Sequence, residues 1–259
     1  MRPNRQPHRH AKRRAHDNLV FGRQPVAELL QGDKEVDSIL IQTGAQGDVL
    51  KQIRQLAVMK GVPVKSVPVE KLNRLTGGNH QGVIAFTAAI SYVSIADLLP
   101  LIIESGEVPL IIVLDGITDV GNFGAIARTA WAAGAHALVI AGTGAAPVNA
   151  DAMKASAGAL QEIPVCREAI LATALETIQL HGLAIYGADA HASAIPATTD
   201  LSIPCSIVMG SEDRGISSEA RAMLTETVSI PMARDFDSYN VSVAAGMLLY
   251  EAMKQRSGS

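Results

Sequence analysis

Apolar residues recur along this chain with two spacings, and the change from one to the other marks its elements. Val49, Ile53, Leu56 and Ala57 fall three to four apart, the stripe of a helix with one buried face, and Gly61 stands where that helix should end. Short, mainly β-branched runs read as strands over Val36 to Ile41, Val62 to Val67 and Val83 to Phe86. Val69 to Leu75 reads as a short helix. Phe21-Gly22-Arg23 makes a turn into a helix ending near Leu30, with Pro25 suited to its first turn. Residues 17–88 are therefore expected to form a small α/β unit.

From Pro109 the alternation sharpens. Leu110 to Leu114 is wholly apolar, as in a parallel strand buried on both faces. A polar stretch, Asp115 to Gly124, leads to a helix expected over Ala125 to Ala133, with Gly134 to end it. Ala137 to Ala141 is the next strand. Helical segments around Asp151 to Leu160 and Glu168 to His181 flank a short strand near Ile163. Leu183 to Gly187, Ser206 to Met209 and Thr227 to Ile230 are further strands, and Pro231 stops the last. Ser217 should cap a helix over Ser218 to Leu224. Ser238 and Asn240 are both good N-cap types for a final helix, whose buried face is Val241, Ala244, Ala245 and Leu248. The pattern is that of an α/β domain over residues 109–259 with a mainly parallel sheet. Residues 89–108 carry a weak helix, Ile95 to Glu104, and read as the connection between the two domains.

Composition adds limits. The 259 residues are 48% hydrophobic and only 3% aromatic, so the core must be aliphatic. Cys166 and Cys205 have no metal-ligand spacing; they fit a reducing cytosol, and one disulfide between them stays open. No apolar run reaches membrane-spanning length and no signal core opens the chain, so a cytoplasmic protein is expected. The net charge of −3 hides an asymmetry: Arg2, Arg5, Arg9, Lys12, Arg13 and Arg14 all precede the first acid, Asp17. This basic arm, residues 1–16, should be disordered when free and can hold phosphates by counterion release.

The chemistry should lie on loops. Three polar loops each follow a strand: Asp119 to Gly124, Gly210 to Gly215 and Ile230 to Asn240. In a parallel sheet the carboxyl ends of the strands share one edge, so these loops can converge there. A phosphate-binding G-x-x-x-x-G-K-[ST] is absent, as are a full G-x-G-x-x-G, a G-x-S-x-G elbow and a His–Glu metal motif. In the first domain the loop Gly77-Gly78-Asn79-His80-Gln81-Gly82 offers His80 and Gln81 to a nucleotide edge, although a lone loop histidine is more often inert.

These loops carry a resemblance. Asn122-Phe123-Gly124-Ala125-Ile126-Ala127-Arg128-Thr129-Ala130 resembles the first motif of the SpoU (TrmH-type) S-adenosylmethionine-dependent RNA ribose methyltransferases. Gly210-Ser211-Glu212-x-x-Gly215 resembles the second. Ile230-Pro231-Met232 with Ser238-x-Asn240-Val241-Ser242-Val243-Ala244 resembles the third, and Lys154 to Ala159 is another shared stretch. Phe21-Gly22-Arg23…Val26 and His80-Gln81-Gly82-Val83 are similar to the substrate domain of the bacterial large-subunit rRNA guanosine ribose methyltransferases.

The resemblance implies a trefoil-knotted, homodimeric α/β domain with S-adenosylmethionine in the knot and the last helix near the dimer interface. It implies cofactor contacts at Gly210, Ile230 and Tyr239, the last replacing the family's usual Leu, while Asp213-Arg214 replaces its commonest Gly-acidic pair. It implies catalytic Arg128, with Asn122, Glu212 and Asn240 orienting it, the cofactor loop and the ribose; Ser238 is a further candidate. Arg23, His80 and Gln81 would contact RNA, and no metal is called for. The expected activity is 2′-O-methylation of ribose, on guanosine in large-subunit rRNA. A tRNA methyltransferase of the same family and a non-catalytic RNA-binding or ribosome-assembly protein are the rivals.

Overall fold

Alternation along the strands decides which helices cover which face. The computed structural model describes residues 18–258 apart from 143 and 235; the basic arm lies outside the described residues. The chain divides into two units that meet at Ala89 and Ile90.

In the first unit β1 (Leu19–Phe21), α1 (Arg23–Gln31), β2 (Val36–Gln42), α2 (Asp48–Met59), β3 (Val64–Val67), α3 (Val69–Leu75) and β4 (Val83–Thr87) follow one another. The sheet order is β1-β4-β2-β3, with β4 antiparallel to both neighbours and β2 parallel to β3. Ile39 and Ile41 point to one face, where Val26 and Leu30 of α1 and Leu50 and Ile53 of α2 bury them. Leu40 points the other way and packs with Val67, Leu72 and Ile84. The strand β1 was not expected from the sequence; three residues are too few to show a period.

The second unit contains α4 (Ile95–Glu104), β5 (Leu110–Asp115), α5 (Val120–Ala132), β6 (Ala137–Ala141), α6 (Ala150–Ala155), β7 (Val165–Glu168), α7 (Leu171–Leu180), β8 (Ala184–Ala188), β9 (Cys205–Gly210), α8 (Ser218–Arg221), β10 (Glu226–Val228) and α9 (Val241–Ser257). Its sheet runs β10-β8-β9-β5-β6-β7, and every pairing is parallel. Leu110, Ile112 and Leu114 of β5 face α5 and α9, packing with Phe123, Ile126, Val241 and Leu248. Ile111 and Val113 face α4 and α7 with Leu99, Leu175 and Ile178. The wholly apolar β5 is thus sandwiched, as its sequence implies. Both cysteines are buried and free.

Several expectations are corrected. The segment taken as a connection is part of the second unit: Ser94 caps α4, and Ile95, Leu99 and Ile102 are buried. Its helix is apolar enough to need a sheet to cover it. Helix α5 begins at Val120, five residues before Ala125, because Asp119 Oδ1 accepts the Asn122 N–H at 2.7 Å and starts the helix there. Asn122 therefore sits in the first helical turn. The helix expected over Asp151 to Leu160 is broken, since Ala157 and Gly158 take positive φ of 50° and 92°; a 3₁₀ turn, Ala159–Gln161, follows. The neighbouring strand is Val165–Glu168, with Ile163 buried just before it, and α7 begins only at Leu171. Strand β10 stops at Val228 and α8 at Arg221.

Strand β5 has β6 on one side and β9 on the other. The chain continues from β5 to β6 and reaches β9 only later, so a crevice opens outside the carboxyl ends of β5 and β9.

Candidate active site

The loop after β9 is closed by its own backbone. Ser211 and Gly215 exchange N–H to carbonyl bonds of 3.1 and 2.8 Å, and Ser211 Oγ accepts the Arg214 N–H at 3.2 Å. Gly210 enters this turn so tightly that a Cβ there would stand 2.2 Å from the Gly215 carbonyl carbon. Only glycine fits. The Asp213-Arg214 pair lies at the tip and leaves the turn intact. Asp115 Oδ2, at the end of β5, accepts the Ser217 N–H at 2.6 Å and fixes where the loop ends.

Three side chains from distant parts of the sequence meet beside this loop. Asn122 Nδ2 donates to Glu212 Oε1 at 3.1 Å. Asn240 Nδ2 donates to the same oxygen at 2.7 Å and to Asn122 Oδ1 at 3.1 Å. The other end of the Asn240 amide caps α9: Oδ1 accepts Ser242 N–H at 3.0 Å, Ser242 Oγ–H at 2.6 Å and Val243 N–H at 3.4 Å. Asn240, not Ser238, is the cap. One carboxylate oxygen thus joins the first turn of α5, the β9 loop and the start of α9.

Arg128 does not join them. Six positions along α5 turn it about 240° from Asn122, and its side chain is exposed with no hydrogen bond or ion pair to a described residue. The reach back towards the helix start that its length would permit is not made.

Beside the Glu212 loop lies a cleft of about 410 Å³. Gly210, Ile230, Ser238 and Tyr239 all line it. Met209, Val228, Val241 and Ala244 give it an apolar wall. The Tyr239 hydroxyl donates to the Pro231 carbonyl at 3.3 Å and spans the loop between β10 and α9. A second cleft, also about 410 Å³, is lined by Thr118, Asp119, Asn122 and Asp213, and it shares Ser211, Glu212 and Arg214 with the first. Two compartments separated by one loop suit a donor and an acceptor that must meet. Among the described residues no cluster of His, Cys, Asp and Glu could hold a metal.

In the first unit Arg23 and Gln81 are clamped together. The Arg23 backbone N–H donates to Gln81 Oε1 at 3.0 Å and its Nε–H to the Gln81 carbonyl at 3.1 Å. Gln81 has a φ of 50°, a left-handed conformation that this clamp holds. His80 is buried; its Nδ1 accepts the Gly82 N–H at 3.0 Å, so Nε2 carries the proton and donates to Asn73 Oδ1 at 2.9 Å. Its ring orders the turn. Arg23, Gln81, Asn79 and Gln42 line an open cleft there.

The SpoU rRNA Methylase family model matches residues 109–250, and a model for RNA 2′-O ribose methyltransferase substrate binding matches residues 19–93. The chain belongs to the SpoU family. It is 35% identical over 242 residues to YacO of Bacillus subtilis, named for the TrmH family of tRNA/rRNA methyltransferases; 93% of this chain and 97% of that one are covered. It is 36% identical over 242 residues to the 23S rRNA (guanosine-2′-O-)-methyltransferase RlmB of Xanthomonas campestris, with the same coverage. Among solved structures, the SpoU methyltransferase AviRb from Streptomyces viridochromogenes in complex with AdoMet is 27% identical, with a TM-score of 0.59, 97% of this chain covered and 95% of that one.

This SpoU protein is an RNA methyltransferase that uses S-adenosylmethionine. The cleft beside Gly210 fits that cofactor: the apolar wall suits a flat adenine, and the Gly210 turn, which no Cβ could enter, lets backbone approach the ligand. Asp119, which starts α5, is not among the expected site residues, yet an Asp three residues before Asn122 has the spacing of a helix cap.

Proposed function

We propose that this SpoU enzyme methylates the ribose 2′-OH of a guanosine in large-subunit ribosomal RNA. The observation that carries the reading is the Asn122–Glu212–Asn240 network, whose Glu212 lines both the cofactor cleft and a second cleft of similar size. The likeness to a guanosine-specific 23S rRNA enzyme along nearly the whole chain supports the choice of RNA.

Gly210, Ile230 and Tyr239 hold S-adenosylmethionine, which supplies an activated methyl group. The chain's own task is to bring the 2′-oxygen into line and to stabilise the charge it acquires as its proton leaves. Asn122, Glu212 and Asn240 fix the loops that bound both clefts. Arg128, exposed outside both clefts, keeps its forked guanidinium donors for an RNA phosphate rather than acting as a simple base. Arg23 and Gln81 present a fixed polar edge to the same RNA, with His80 ordering the turn behind them. The knotted path, the cytoplasmic location and a homodimer belong to the same proposal. The dimer has support in exposed apolar side chains along α9, Val243, Met247 and Tyr250, and in Trp131 on α5.

Methyl transfer from tritiated cofactor to total RNA of a deletion strain tests this. Label on a guanosine 2′-oxygen of 23S rRNA is the expected result. Label in tRNA would move the enzyme to the second reading, which the joint tRNA/rRNA name of the Bacillus relative favours; no label in any RNA would leave an RNA-binding protein.

A further inference from the structure

The cofactor cleft contains an ion pair that nothing above uses. Asp189 directly follows β8, and its N–H bonds the Val228 carbonyl at 3.1 Å, so it is fixed at the carboxyl edge of the sheet. Its Oδ2 lies 2.7 Å from Arg221 Nη1, and its Oδ1 accepts the His191 N–H at 2.9 Å. The Asp189 side chain is only 17% exposed, against 48% for Arg221, and both residues line the cleft.

An ionised carboxylate has about four acceptor sites. Two are filled here, so two remain. The other carboxylates of this cleft are Glu212 and Asp237. Glu212 already gives one oxygen to two amides, and Asp237 is exposed on the loop before α9. Asp189 is the carboxylate that is both held in place and half spent.

S-adenosylmethionine brings donors at the adenine amine, the ribose diol and the methionine ammonium. The sheet order separates them. Of the apolar lining, Val228 ends β10 and Ile230 follows it, on one side of the cleft; the Asn122–Glu212–Asn240 network lies at the ends of β9 and β5. Adenine belongs against Val228 and Ile230 and the sulfonium against the network. The ribose joins the two, and β8 lies between β10 and β9.

The geometry points to Asp189, oriented by Arg221 and the His191 N–H, as the acceptor for the ribose hydroxyls of S-adenosylmethionine. Asp189 is thus a cofactor-positioning residue, and Arg221 acts through it. The His191 N–H, and then Arg221, hold the Asp189 carboxyl below the usual carboxylate range, so it is ionised and accepts only.

Calorimetry with S-adenosylhomocysteine and its 2′,3′-dideoxy analogue tests this on the full chain without turnover. The wild type should bind the analogue at least about tenfold more weakly, the scale of a lost hydrogen bond to a charged group. Asp189→Asn should weaken the parent ligand by a similar factor and bind both ligands nearly alike. Arg221→Gln keeps the carboxylate and should still discriminate between them. A wild type that binds the two ligands equally overturns the assignment, and that arm needs no variant to fold. An Asp189→Asn protein that still prefers the parent ligand tenfold overturns it as well. Methylation of any RNA plays no part in the readout, so this inference stands or falls apart from the choice of substrate.

Discussion

At Asn240 one amide serves two structures: Oδ1 caps α9 while Nδ2 holds Glu212 and Asn122. Substitution can separate them. Asn240→Asp keeps a capping oxygen, so the melting temperature should stay near wild type. It removes both donated bonds and sets a second carboxylate beside Glu212, so single-turnover methylation should fall roughly ten- to a hundredfold, matching about 1.5–3 kcal/mol for hydrogen bonds to a charged group. Equal turnover would remove the network from the mechanism. Arg128→Ala should leave cofactor affinity unchanged in calorimetry, because the side chain touches neither the cleft nor the network. Turnover at low RNA concentration should fall about tenfold or more, the scale of a lost hydrogen bond to a charged phosphate, and Arg128→Lys should restore little, since an ammonium lacks the planar fork. Burial pushes the Cys166 thiol up to about 12, and Cys205 shifts the same way. Because the folded value is raised, stability from keeping the thiols neutral is complete below the unfolded value near 8.5 and declines as pH climbs above it. A thiol reagent at pH 8 should label neither residue until the chain is unfolded.

Among the elements, α5 and α6 meet through the shared Lys154 to Ala159 stretch. Gly124 lies so close to α6 that a Cβ would stand 2.4 Å from Ala155 Cβ and 2.9 Å from both the Ala152 oxygen and the Ser156 nitrogen. Gly124→Ala must push the helices apart and should cost about 1–3 kcal/mol in denaturant unfolding, as overpacking does. A neutral or stabilising result would mean that α6 moves freely. These elements also show what a single chain reveals. An apolar run such as β5 announces itself, because burial on both faces leaves no polar position. The N-terminal boundary of α5 was hidden because Gly121 and Gly124 argue for a loop, while the capping Asp119 and the packing against α6 outweigh them. The break at Ala157 was hidden too; alanine gives no warning of a positive φ. For the site, the three loops were legible because parallel strands end on one edge. The aim of Arg128 was not, since side-chain length permits a reach that the helix face does not impose.

Over the whole second unit, the two surfaces of α9 differ in what they meet. Val241, Ala245, Leu248 and Leu249 are buried, whereas Val243, Met247 and Tyr250 are 47%, 39% and 62% exposed. Trp131 of α5 adds to the uncovered apolar area. Light scattering at micromolar concentration should give a dimer for the wild type and a folded monomer for Met247→Glu, in which a charge would have to be buried. A wild-type monomer would sink the interface. The Glu212 oxygen that gathers Asn122 and Asn240 also sets a timetable. The first partner lies 118 residues before the last, and a protein is made from its N-terminus. Every strand of both sheets precedes Asn240. A chain still on the ribosome can therefore complete its sheets while the final knot of hydrogen bonds waits for its last partner. The enzyme cannot assemble this network, or act through it, until Asn240 and the 17-residue helix it caps have been synthesised.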